Sequence, residues 1–181
     1  MTRAGQIIKN PVSGERIVFR RTAADTGGAL LEFDLELAAD GRVPGAHVHP
    51  EQEERFRVLE GSMRFRLGMR TIVAHAGQSV VVPAGRVHKF SNAGDGPARA
   101  RVEVVPALDM EELLCTAAQL AQEGRVTRSG LPTPLHLALF VRRFRREVRA
   151  PFPPAWIVQG LLAPIAALAR RRGHAARYAL A

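Results

Sequence analysis

A mainly β unit followed by about three α-helices is the fold class this 181-residue sequence predicts, and three observations predict it. Apolar residues alternate with polar ones at a period of two through the first hundred residues, as strands with one wet face require. Turn signals recur there at short intervals, at Pro11-Val12-Ser13-Gly14, Ala39-Asp40-Gly41, Leu67-Gly68 and Asn92-Ala93-Gly94-Asp95-Gly96, a spacing suited to an all-β domain. After Pro106 the period changes to the helical one, with helix stops at Gly124 and Gly173 and a proline cluster at 151–154.

The elements follow in order. Leu31, Phe33, Leu35 and Leu37 alternate with Glu32, Asp34 and Glu36, and Met63, Phe65 and Leu67 alternate with Arg64 and Arg66. Each is a half-buried strand. Arg101-Val102-Glu103-Val104 reads as a last strand before Pro106. Asp109 and Glu112 form an acidic variant of a capping pair ahead of a helix over 110–123. Thr133-Pro134 supplies a cap and a first-turn proline for a second helix, whose stripe of Leu137, Val141, Phe144 and Val148 runs as far as the prolines at 151, 153 and 154. A third helix is expected over 155–172. We divide the chain into a barrel, residues 1–106, and a helical extension, residues 107–181, too small for a core of its own and therefore expected to pack on the barrel or across a dimer.

Chemistry concentrates in two segments. His47-Val48-His49 places two imidazoles on one face of an extended chain, because alternate side chains share a face. After a polar connection through Pro50, Glu54 opens a strand with Phe56 and Val58 on its own face, closed by a tight turn at Gly61. In the second segment Val80-Val81-Val82 leads through Pro83-Ala84-Gly85 to His88, Phe90 and Asn92 on one face. Three imidazoles and a carboxylate are ligand types for a divalent transition metal that keeps coordination positions open.

These residues carry a specific resemblance. Gly41, His47, His49, Glu54 and Gly61 follow G-x5-H-x-H-x4-E-x6-G, and Gly77, Pro83, Gly85, His88 and Asn92 follow G-x5-P-x-G-x2-H-x3-N. The sequence thus resembles the cupin superfamily over roughly residues 28–106, and in particular small single-domain metal-binding cupins of the quercetinase-like type. The resemblance implies a double-stranded β-helix, or jelly-roll, barrel. It implies His47, His49, Glu54 and His88 as ligands of one divalent transition metal (Fe, Mn, Ni, Cu or Zn), and a homodimer. In quercetinase-like relatives the glutamate matching Glu54 is proposed to take a substrate proton, so the resemblance implies Glu54 as the candidate catalytic residue, the alternative being a plain ligand.

Strand parity puts Phe56, Val58, Met63 and Phe90 on the inner face, so these four are the expected substrate-contacting residues of a largely apolar pocket. That lining suits an aromatic or polyketide-like small molecule. The expected function is a metal-dependent enzyme acting on an enolic or aromatic substrate, such as a dioxygenase. The alternatives are a zinc-dependent isomerase or cyclase, and a non-catalytic sensory cupin. Ligand type alone does not choose the metal, since affinity follows a common order across these ions.

Composition sets outer limits. The net charge of +9 is carried almost wholly by arginine, with dense runs at 142–146 and 170–172. The reading favoured for these is a solvated face with contacts to acidic strands; nucleic acid is disfavoured because neither interhelical connection is the short turn a helix-turn-helix needs. From Ala150 to Ala169 the chain has no charged residue, yet three prolines at its start, Gln159, Gly160 and Pro164 interrupt it. A packed helix is favoured there over peripheral membrane contact. The one cysteine, Cys115, excludes an intramolecular disulfide and is expected in the buried side of a helix. The first residues hold no sustained apolar core, and a cytoplasmic location is the expectation.

Overall fold

The computed structural model describes residues 2–178 and contains nine strands and three α-helices among them. In chain order the strands are β1 Ile7–Asn10, β2 Glu15–Arg21, β3 Leu31–Leu37, β4 Glu53–Glu60, β5 Ser62–Leu67, β6 Arg70–His75, β7 Ser79–Val82, β8 His88–Asn92 and β9 Ala98–Val105. The helices α1 Met110–Gln122, α2 Pro134–Arg143 and α3 Ala155–Arg171 follow. All strand pairs are antiparallel, in one six-stranded sheet ordered β1-β2-β3-β9-β4-β7 and one three-stranded sheet ordered β6-β5-β8. This is the expected double-stranded β-helix with a helical C-terminal region.

The alternating pattern explains which face packs. In β9, Ala98, Ala100, Val102 and Val104 are buried while Arg99, Arg101 and Glu103 are half-buried on the other side. The register carries the inner face across the sheet: Phe19 lies opposite Phe33, Phe33 opposite Val102, and Val102 opposite Phe56. Two motif glycines are structural. Gly61 has φ 68°, and a Cβ there would sit 2.8 Å from the Pro97 carbonyl oxygen. At Gly41 a Cβ would meet the Ala38 backbone at 2.9 Å. Asn92, the last motif residue, pins the same turn region, its amide donating to the carbonyls of Ala38 at 2.9 Å and Gly96 at 2.8 Å.

A three-stranded sheet cannot cover a six-stranded one, and the helices take up the remainder. Met110 and Leu113 of α1 and Leu139 and Phe140 of α2 belong to the same buried cluster as Ile17, Phe33 and Leu35. Helix α1 packs on β1, and α3 packs on α2. The extension therefore lies on the barrel, one of the two arrangements expected.

Three local expectations need correction. Helix α2 ends at Arg143 instead of continuing to the prolines. Phe144, fully buried, begins a turn, and Arg149 then exchanges two backbone hydrogen bonds with Val48, at 2.9 and 3.0 Å, which demands extended backbone. Pro151 biases Ala150 the same way. Asp109 makes no side-chain cap to α1; its carboxylate accepts instead from Arg143 at 2.9 Å, and Glu112 pairs with the same guanidinium. Cys115 is only partly buried, with its sulfur 3.8 Å from the Thr2 hydroxyl.

Candidate metal centre

Backbone pairing assembles the centre. His47 and His88 are cross-strand partners, each N–H donating to the other's carbonyl at 2.9 Å, so two imidazoles stand side by side. His49 follows two residues on in the same extended segment, which is held by isolated bridges and not by a full strand. Glu54, at the start of β4 opposite Val104 and Val82, faces them from the larger sheet. The four side chains can each present one ligand atom such that all four atoms lie within 4.8 Å of one another. Ring centroids are 4.3 Å apart for His47 and His88, 4.9 Å for His47 and His49, and 5.1 Å for His49 and His88.

The tautomers follow from the second nitrogen of each ring. His47 Nδ1 lies 3.0 Å from the Gly45 carbonyl oxygen, His88 Nδ1 3.1 Å from that of Arg86, and His49 Nδ1 2.5 Å from that of Glu147. A carbonyl only accepts, so each Nδ1 carries the proton and each Nε2 presents a lone pair. His49 Nε2, His88 Nε2 and Glu54 Oε2 are all buried and have no hydrogen-bond partner of good geometry. Glu54 Oε2 nevertheless stands only 2.9 Å from His88 Nε2 and 3.4 Å from His49 Nε2. Buried orphan acceptors converging on one point are costly unless a cation or proton sits between them. The donor set, its tautomers and its orphaned atoms fit a divalent metal, with the carbonyls as orienting partners.

Electrostatics agree. Burial, reinforced by His49 and His88, pushes His47 down to about 3, so its imidazole is neutral at ordinary pH. Burial would also raise Glu54, but His49 and His88 outweigh it and hold the carboxyl well below its usual range. For His49 burial lowers the pKa, yet the charge and hydrogen bond of Glu54 prevail and the net shift is upward.

His47, His49 and Glu54 open onto a cavity of about 470 Å³. Its barrel side is apolar, with Ile17, Phe33, Leu35, Phe56 and Phe90. Its opposite wall comes from the helical extension, through Met110, Leu113, Leu137, Phe140 and Val148, and Phe152 stands at the rim. Asn10 and Glu15 form a second polar pole, where burial raises the Glu15 carboxyl although the Ser13 hydroxyl donates to it.

Of the four residues expected to contact substrate, Phe56 and Phe90 line this cavity, whereas Val58 and Met63 do not. Both are fully buried, so strand parity assigned their face correctly. Depth explains the difference. Val58 lies two positions beyond Phe56 along β4, and Met63 sits level with Asn92, two beyond Phe90. Phe56 and Phe90, with ring centroids 5.2 Å apart, form the cavity floor, and Phe65 packs against both with centroids 5.0 and 6.2 Å away without lining the cavity. His88 belongs to the cluster without lining the cavity.

Sequence reasoning missed Glu147. It acts through its backbone carbonyl, which any residue could supply, so no side-chain signal marks it. It also missed the helical wall, whose residues show an ordinary amphipathic stripe.

Comparison with known proteins agrees with the barrel. Residues 33–105 match the family model described as the cupin domain. Over 82 residues the chain is 33% identical to polyketide synthase CurC of Streptomyces cyaneus, covering 45% of this chain and 53% of that protein. The chain thus spans about half the length of that curated relative. Among solved structures, a predicted oxalate decarboxylase from Thermotoga maritima is similar at TM-score 0.50 and 20% identity, over 57% of this chain and 92% of that one. KdgF from Halomonas sp. is similar at TM-score 0.50 and 12% identity, over 57% and 91%. These two likenesses show the fold alone.

Proposed function

From the premise that residues 33–105 are a cupin domain, we propose that this chain is a metal-dependent enzyme acting on an enolisable aromatic, polyketide-like small molecule. The observation that carries the reading is the set of three imidazoles, each with Nδ1 engaged by a carbonyl, clustered with the Glu54 carboxylate, which the unpartnered Nε2 atoms of His49 and His88 face directly, beside an apolar cavity. His47, His49, Glu54 and His88 would hold the ion. A divalent ion there would supply Lewis acidity toward a substrate oxygen pair, or dioxygen chemistry if it is redox-active.

The chain's own groups do the rest. Phe56 and Phe90 floor the cavity and stack against a planar substrate, while Leu113 and Phe140 close it from the helical side and exclude water. Glu54 faces the cavity beside His47 and His49 and is positioned to accept a proton from a substrate enol at its carboxylate. The cavity volume suits a fused-ring molecule better than a sugar nucleotide, which would need more polar lining.

Two reaction types fit, dioxygenation and cyclisation or isomerisation; we take the second, and the likeness to a protein described as a polyketide synthase supports the polyketide-like substrate. The test is a panel of enolisable aromatic polyketides incubated with metal-loaded protein, with and without dioxygen. Conversion without oxygen uptake is expected. Stoichiometric oxygen consumption would replace cyclisation with dioxygenation, and binding without turnover would leave a sensory role.

A further inference from the structure

The centre does not use α3, whose outer face is chemically unusual. A surface helix ordinarily shows polar residues to solvent. Here Trp156 is 75%, Leu161 68% and Leu168 43% exposed, with Gly160 and Pro164 between them on the same side. Phe152, just ahead of the helix, is 81% exposed. The only polar residue of the helix before Arg170 is Gln159, which is half-buried. Contiguous exposed apolar surface of this kind marks an interaction site.

Charge identifies the occupant. Arg149 precedes the apolar face and Arg170, Arg171 and Arg172 end it, all exposed and without an ion pair among the described residues. No acidic residue occurs anywhere in the sequence after Glu147. A second copy packed isologously on this face would bring two sets of Arg170, Arg171 and Arg172 together with no ion-paired anion between them among the described residues. An apolar protein partner would leave the cations unused. We propose that the α3 face, with Phe152 and Trp156, docks on an anionic lipid bilayer, lying in the interface plane. No helix among the described residues is long and apolar enough to cross a membrane. Aromatic rings favour the lipid–water boundary, and arginines beside it attract anionic headgroups. Phe152 also stands at the cavity rim with Ala150 and Pro151, so the docked face turns the cavity mouth toward the lipid, where an apolar substrate concentrates.

Trp156 is the chain's single tryptophan and reports directly on this contact. The full-length protein is mixed with vesicles of phosphatidylcholine alone, or of phosphatidylcholine and phosphatidylglycerol in equal parts. The expected result is co-sedimentation and a blue shift of Trp156 emission with the mixed vesicles only, both reversed by high salt. The triple variant R170A/R171A/R172A should bind on the order of a hundredfold more weakly. Leu161→Asp should lose about tenfold or more while keeping its far-UV circular dichroism and metal content. Protein left in the supernatant with an unshifted spectrum for both vesicles would overturn the proposal. So would equal, salt-independent binding to both, or a concentration-dependent dimer that Leu161→Asp dissolves, which would assign the face to a second copy.

Discussion

His49 is held on two sides, its Nδ1–H by the Glu147 carbonyl and its Nε2 aimed at Glu54. Removing that ring, or His88, leaves two imidazoles, and a buried carboxylate with one partner fewer. His49→Ala and His88→Ala are each expected to lose bound metal to background in elemental analysis while the β-rich circular dichroism persists. Wild-type protein with metal at about a hundred times its Kd should gain about 2.7 kcal/mol over the chelated form, readable as a raised Tm. Asp34 makes a separate prediction about acid stability. Burial would raise its carboxyl, but hydrogen bonds from Arg101 and Arg20, the latter 2.8 Å from Nε, outweigh burial and hold it below the ordinary value. A folded-state pKa below the unfolded one means the contribution is fully present above about pH 3.9 and is lost as pH falls through the lower folded value. Asp34→Asn should therefore cost about 1–3 kcal/mol at pH 7, less any solvent screening of the half-exposed guanidiniums, and nothing at the foot of the acid limb. Urea unfolding of both proteins at pH 7 and at stepwise lower pH measures it.

At the scale of elements, the decisive piece is the segment that turns at residues 144–147 and runs extended at Arg149. It breaks the helical stripe that Leu137, Val141, Phe144 and Val148 lay out, and it pairs with Val48, which lies between His47 and His49. Nothing in the local pattern announces this, because a cross-chain bridge is a tertiary event that overrides helix period. Arg149→Pro removes the N–H that donates to the Val48 carbonyl at 2.9 Å. Metal affinity should fall by about 10–100-fold, the usual effect of losing an orienting contact, with secondary structure largely kept. A metal titration of the variant decides; unchanged affinity would show the segment to be mere packing. Strands β1, β2 and β6 went unread, but β3, β5 and the second half of β9 were legible in the sequence. Their signal is local, since alternation in β3, β5 and β9 directly records one dry and one wet face.

For the whole molecule, the barrel and the helical extension jointly build the cavity. That His47, His49, Glu54 and His88 stand together was expected from the motif resemblance, and the structure brings one ligand-type atom of each within 4.8 Å of the others. Which inward residues reach the cavity could not be read from the sequence, because parity gives a side chain's face and not its depth; Val58 and Met63 lie beneath the aromatic floor. Leu113→Trp, on the wall contributed by α1, should leave metal content unchanged but weaken binding of an aromatic polyketide-like ligand by about tenfold or more, as read by calorimetry. The most direct test of the account is elemental analysis with X-ray absorption spectroscopy on protein purified without added metal. One first-row divalent ion per chain is expected, its shell containing three imidazole nitrogens and a carboxylate oxygen. Protein that binds no ion when titrated with any of them, or an ion whose shell lacks imidazole, would contradict it.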